Sequence, residues 1–185
     1  MVSLYILRAM RPHQWVKNLF VLAALVFSKH LFDPVYAVRS GAAFALFCLL
    51  SGAVYILNDI LDLENDRQHP EKRTRPIASG RLGVPVAAAV VLILAPVVLW
   101  LSFRLSGPFG WVVVTYAVLN LGYSVYLKHV VILDVMIIAA GFLLRAVGGA
   151  FVIGVEISSW LILCTMLLAL FLGFVKRRQE LILLQ

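Results

Sequence analysis

Apolar residues run along this chain in long blocks separated by short polar stretches. Six blocks qualify as candidate crossings of a hydrocarbon layer: 18–32, 38–57, 84–105, 109–126, 131–153 and 159–175. Such a layer is about 30 Å thick and takes about 20 residues of helix. The first block is the shortest, and Lys29 and His30 interrupt it, so its outer end is expected at the membrane interface. Unpaired backbone cannot face lipid, so the blocks are expected to be helices. No alternation with a period of two supports a barrel. The expected architecture is all-α: a polytopic transmembrane helix bundle, one integral-membrane domain over 1–185, with no linker and no second domain.

Composition sharpens this picture. The chain is 63% hydrophobic and 14% charged, far from the balance of a soluble domain. A net charge of +7 on a soluble protein would point to nucleic acid. Here the bases sit in the short loops between apolar blocks, so they indicate topology and anionic ligands, and no nucleic-acid partner is expected. With the N-terminus inside, the inner side carries Arg8, Arg11, Lys17, Arg67, Lys72, Arg73, Arg75, Arg81, Lys128, Lys176, Arg177 and Arg178, and the outer side only Lys29, Arg39 and Arg104. That asymmetry places the N-terminus and the segment after the second block in the cytoplasm. Arg145 is left over, inside the fifth block. The lead containing Arg8, Arg11, Pro12, Trp15 and Lys17 does not read as a cleaved signal peptide. Cys48 and Cys164 fall inside apolar blocks without metal-ligand spacing and are expected to be small buried apolar residues.

The candidate chemistry is concentrated in NDILDLEND, residues 58–66, which holds Asp59, Asp62, Glu64 and Asp66 out of nine acidic residues in the chain. Asn58, Asp62 and Asp66 recur every four positions, which on a helix puts them on one face. Hard oxygen donors in that arrangement suit Mg²⁺, which completes its shell with waters and substrate phosphates. The alternative is a solvated helix end whose acids pair with nearby bases. A position at the mouth of a membrane bundle favours the metal. The next stretch, RQHPEKRTRPIASGRL, offers Lys72, Arg73, Arg75 and Arg81 to phosphate oxygens. Metal and bases together can hold a diphosphate and stabilise it as it leaves. Inside-positive topology explains the same loop charges equally well.

NDILDLEND followed by HPEKRTRPIASG resembles the signature and basic loop of the UbiA superfamily of intramembrane prenyltransferases. The resemblance implies a bundle of about nine transmembrane helices, of which about six are present here and the C-terminal ones are expected to be missing. It also implies a Mg²⁺-bound diphosphate opened at a cytoplasmic-facing cavity. Where such proteins carry a second acidic motif this chain has KRRQE, 176–180, which argues against plain prenyl transfer. RPHQWVKN (11–18), YSVYLKH (123–129), LDVMIIAAGFLLRAVGGA (133–150) and SSW with KRRQEL resemble one branch, the decaprenyl-phosphate phosphoribosyltransferases.

That branch implies transfer of phosphoribose from phosphoribosyl pyrophosphate to a polyprenyl (decaprenyl) phosphate, releasing pyrophosphate. The product serves lipid-linked arabinose (arabinogalactan) and cell-wall synthesis at a bacterial inner membrane. Asn58, Asp62 and Asp66 are then the catalytic, Mg²⁺-holding residues. Lys17, Tyr55, Lys72, Arg73, Tyr123, Lys128, Arg145, Lys176 and Arg177 are the expected substrate-binding residues. Two other readings stay open: prenyl transfer from a prenyl diphosphate to an aromatic or other acceptor, and an ion or solute transporter using Asp134 and Arg145, or an inactive fragment. Nothing in the sequence fixes an oligomeric state.

Overall fold

The computed structural model describes residues 2–125 and 131–183, and among these there is no strand. The helices are α1 (Val2–Ala9), α2 (Ala23–Phe27), α3 (Pro34–Leu61), α4 (Leu63–Gln68), α5 (Val84–Leu105), α6 (Gly107–Val125), α7 (Val131–Ile153) and α8 (Ser159–Leu183). A 3-10 segment, Pro12–Leu22, leads directly into α2, and a 3-10 turn, Lys72–Thr74, follows α4. The apolar blocks 84–105 and 131–153 coincide with α5 and α7. α8 runs past the apolar block that predicts it, to Leu183.

Local chemistry sets the helix ends. The Asp33 carboxylate accepts the Val35 N–H at 2.9 Å and Pro34 occupies the first turn, so α3 starts where a cap and a proline coincide. α3 is the hub, packing against α5, α6, α7 and the 3-10 segment. Phe47 on α3 is fully buried and meets Phe109 and Tyr116 of α6 edge-on, with ring centroids 5.7 and 5.5 Å away. α3, α5 and Val135–Ile153 of α7 are long and apolar enough to cross a membrane.

The first apolar block departs from expectation. It is not an α-helix over 18–32 but the 3-10 segment plus α2, ending at Phe27. Asn18, Val21 and Ala24 are its buried line, at intervals of three, the repeat of a 3-10 helix. A 3-10 helix rises about 2.0 Å per residue against 1.5 Å for an α-helix, so residues 12–27 reach about 30 Å. Lys29, with φ of 65°, turns the chain into the left-handed region just after α2, where the sequence places the interface.

What holds this line of contacts is Gly149. A Cβ built there would lie 1.9 Å from the Val21 carbonyl oxygen, so only glycine lets α7 and the 3-10 segment approach this closely. α7 passes Gly148 and Gly149 without a break, so the broken-helix feature of a transporter site is not found there. The basic loop is also anchored. Ile77 and Leu82 are 1% exposed and pack with Ala9, Met10, Ile56 and Ala87. Cys48 is buried as expected, whereas Cys164 on α8 is exposed.

Candidate functional site

The acidic motif does not form one continuous face. α3 stops at Leu61, Asp62 takes φ of −96° and ψ of 11°, and α4 resumes at Leu63. Backbone bonds still link the turns: Asp62 N–H to the Asn58 carbonyl at 2.9 Å and Asp66 N–H to the Asp62 carbonyl at 2.8 Å. The side chains divide into two groups. Asn58 Oδ1 accepts a hydrogen bond from Ser124 Oγ on α6. Asp66 is buried instead beside Asp59. Arg75 donates to Asp66 Oδ2 at 2.6 Å and to Asp59 Oδ1 at 3.2 Å, and Arg11 also pairs with Asp59 Oδ1. Helix geometry explains the division. Seven residues fall about 20° short of two turns, whereas eight overshoot by about 80°. Asp66 therefore lies closer to the Asp59 side than to the Asn58 side.

The donor set can be tested against the metal that the sequence implies. Among the described residues no cluster of three or more His, Cys, Asp or Glu side chains forms a metal cage. Mg²⁺ does not need one, since it binds through one or two carboxylates plus waters and substrate phosphates. Asn58 and Asp62 offer hard oxygens one turn apart, and Asp59 Oδ2 is buried without a hydrogen-bond partner. The donor set of hard oxygens fits Mg²⁺, although the unpartnered Asp59 oxygen lies on the arginine side of the motif rather than beside Asn58.

Below this end lies a cavity of about 430 Å³. Five of the residues singled out from the sequence line it: Lys17, Tyr55, Asn58, Tyr123 and Arg145. They come from the 3-10 segment, α3, α6 and α7, and only the fold brings them together. Lys72 and Arg73 stand apart on the exposed loop. Lys128 lies outside the described residues, as do the side chains of Lys176 and Arg177.

The floor of the cavity is built around Arg145, which is 6% exposed. Its Nε donates to Asn18 Oδ1 at 2.7 Å, Nη1 to the Gly141 carbonyl at 2.8 Å and Nη2 to Tyr116 Oη at 2.8 Å. Asn18 in turn donates to Ser51 Oγ at 3.1 Å and Cys48 Sγ at 3.3 Å. α6 supplies a polar stripe at spacing four, Tyr116, Asn120 and Ser124, which runs from the floor to the Asn58 end. This stripe is visible in an otherwise apolar block of sequence, and reading α6 only as a span passes over it. Asn18, Ser51 and the pairing role of Arg11 carry no such signal, because their partners are 30 to 127 residues away in the chain.

A membrane-crossing all-α bundle with an oxygen-rich mouth and cations inside its cavity defines the class of protein. The UbiA prenyltransferase family model matches residues 18–178, and the chain belongs to that family. It is 37% identical over 181 residues to a decaprenyl-phosphate phosphoribosyltransferase of Corynebacterium glutamicum, covering 96% of this chain and 54% of that protein. It is 38% identical over 189 residues to the protein of the same name from Mycolicibacterium smegmatis, covering 95% and 57%. The chain thus spans little more than half the length of these curated relatives. Among solved structures, a UbiA homolog from Archaeoglobus fulgidus bound to DMAPP and Mg²⁺ has a TM-score of 0.71 at 18% identity, over 89% of this chain and 60% of that one. A structure concerning digeranylgeranylglyceryl phosphate synthase in membranes has a TM-score of 0.75 at 22% identity, over 96% and 63%. At these identities the structural likeness speaks for the fold alone.

Proposed function

We propose that the chain carries the substrate cavity of an integral-membrane enzyme that transfers phosphoribose from phosphoribosyl pyrophosphate to a polyprenyl phosphate such as decaprenyl phosphate. The setting is lipid-linked arabinose and cell-wall synthesis at a bacterial inner membrane, with the cavity open to the cytoplasm, as the loop bases favour. The observation that carries this reading is the pair of cations, Lys17 and Arg145, lining the same cavity as Asn58. A prenyl donor would lay an apolar tail against a buried guanidinium, which is costly. A donor and an acceptor that both bear phosphate would find complementary charge there. The names of the curated relatives agree with this choice.

The chemistry follows from the charges. The bond between C1 of the ribose and the pyrophosphate oxygen breaks, its electron pair leaves with pyrophosphate, and C1 gains oxocarbenium character. An oxygen of the lipid phosphate then bonds to C1. That oxygen is already anionic, so no side chain has to remove a proton. Asn58 and Asp62 would hold Mg²⁺, which supplies charge neutralisation to the departing pyrophosphate. Lys17, Tyr55 and Tyr123 line the cavity in which the two substrates would meet. Lys72 and Arg73 sit on a loop fastened next to the mouth by Ile77 and Leu82, where they can meet pyrophosphate oxygens. Lys128, Lys176 and Arg177 are proposed to add charge on the same side. Asp66, held by Arg75, contributes to the acidic end behind Asn58 and Asp62.

The test is Asp62→Asn. Mg²⁺-dependent binding of phosphoribosyl pyrophosphate, followed by calorimetry in detergent, is expected to weaken by on the order of 100-fold. Far-UV circular dichroism should stay that of the wild type, since Asp62 sits between helices. Unchanged affinity would refute the metal-holding role.

A further inference from the structure

Arg145 is the one strongly charged group deep in the bundle that forms no ion pair with a described side chain. Asp134, the acid on its own helix, is eleven residues away, about 16 Å of rise. The three acceptors that hold the guanidinium are all neutral: an amide oxygen, a backbone carbonyl and a tyrosine hydroxyl. A guanidinium carries five N–H donors, so two remain after these three bonds. The rings of Tyr116 and Phe142, at 4.8 and 5.7 Å, cushion the cation without neutralising it. A Cβ at Gly141 would come within 3.3 Å of Nη1, so glycine there leaves the guanidinium its room. This is a cation built to be held by neutral groups and left with donors, next to a cavity that it lines.

Its distance from the acidic end is fixed twice over. On α3, Ser51, bonded to Asn18 at the floor, lies seven residues before Asn58, about 10 Å of rise. On α6, Tyr116, bonded to Arg145, lies eight residues before Ser124, the partner of Asn58, about 12 Å of rise. The cavity therefore has two polar ends, one suited to a metal-bound diphosphate and one offering a bare cation. A ribose ring carries its 1-pyrophosphate and its 5-phosphate on opposite sides, and the lipid acceptor carries a single phosphate.

We infer that Arg145, oriented by Asn18, Gly141 and Tyr116, forms a phosphomonoester subsite at the floor of the cavity, distinct from the diphosphate end at Asn58 and Asp62. The choice of ligands rests on the phosphoribosyl-transfer reading. The monoester is the 5-phosphate of the sugar donor or the phosphate of the lipid acceptor, and binding separates the two. The competing role for Arg145 is a tether that ties the 3-10 segment, α6 and α7 together.

The experiment titrates the full chain in detergent micelles with ribose 5-phosphate, farnesyl phosphate, Mg²⁺–pyrophosphate and phosphoribosyl pyrophosphate. Two variants are compared with the wild type. Arg145→Gln removes the charge. Asn18→Asp keeps an acceptor opposite Nε but neutralises the cation in place, and Ser51's hydroxyl can turn from the Cys48 carbonyl, to which it donates at 3.1 Å, to the new carboxylate. In both, monoester affinity should fall about 10- to 100-fold, the worth of one or two charge-assisted hydrogen bonds. Pyrophosphate affinity should change less than about threefold. Asn18→Asp should stay folded, its carboxylate pairing with Arg145 in place of the amide contacts it loses, and it carries the test alone if Arg145→Gln does not fold. A loss confined to ribose 5-phosphate assigns the subsite to the donor, and a loss confined to farnesyl phosphate assigns it to the acceptor. Equal loss for pyrophosphate, full monoester affinity in Asn18→Asp, or no monoester binding by the wild type would overturn the inference. If monoesters bind through Arg145 but phosphoribosyl pyrophosphate does not bind at all, the subsite stands and phosphoribosyl transfer falls.

Discussion

Gly149→Ala is expected to destabilise the bundle by about 3 kcal/mol or more and to cripple ligand binding together with stability. The new methyl would fall 1.9 Å from the Val21 carbonyl oxygen, less than any carbon–oxygen contact tolerates. Backbone cannot swing aside as a side chain does, so α7 and the 3-10 segment must part. Arg145 lies one turn before Gly149, and Asn18 one 3-10 turn before Val21, so the same displacement pulls Asn18 Oδ1 from Arg145 Nε. A buried guanidinium then loses an acceptor in a low-dielectric setting. Thermal unfolding in detergent measures the effect. Gly41→Ala is the control: nothing lies within 4 Å of its Cβ position on α3, so that variant should be neutral or up to about 1 kcal/mol more stable. Similar melting of the two variants would show that the close approach is not what holds the first crossing in place.

The second large effect is expected at Asp59. Its Oδ1 joins Arg11, 48 residues earlier, to Arg75, 16 residues later. The carboxylate is 2% exposed and the two arginines are 23% and 27% exposed. Asp59→Asn leaves Arg11 without a carboxylate partner among the described residues, while Arg75 keeps Asp66. Removing one partner of so buried a pair costs about 3 kcal/mol. The loss should be local, because Arg11 stands at the head of the 3-10 segment with φ of 54°. Trypsin should therefore cut after Arg8 many times faster than in the wild type, Arg11 being shielded by Pro12, while cleavage at the exposed Arg73 changes little. Equal acceleration at Arg73 would mean that the whole basic loop had come loose and that Asp66 does not hold Arg75 by itself.

These two sites show where sequence reading succeeds and where it stops. α5 and α7 could be bounded from the sequence because their apolar runs are long, despite Pro96 in one and Asp134 and Arg145 in the other, and end at polar or glycine-rich turns. The acidic motif was recognisable from its spacing. Its division follows the seven-residue offset between Asp59 and Asp66, but the arginine that holds the two together, Arg75, joins them only in the fold. The first crossing was misread because its contacts repeat every three residues, a period that α-helical patterning does not look for. Arg145 could be flagged as costly in a span, yet its neutral cradle comes from Asn18, Tyr116 and Gly141 on three separate elements. Convergence of that kind belongs to packing, and no local pattern encodes it.

The central claim is that this cavity takes a phosphorylated sugar diphosphate rather than a prenyl diphosphate. Its most direct test is calorimetric binding of phosphoribosyl pyrophosphate and of geranylgeranyl diphosphate to the chain in detergent, each with and without Mg²⁺. The cations Lys17 and Arg145 within the cavity predict Mg²⁺-dependent binding of the sugar donor, tighter than the prenyl donor by at least about tenfold. Tighter binding of geranylgeranyl diphosphate would contradict that account and return the chain to ordinary prenyl transfer.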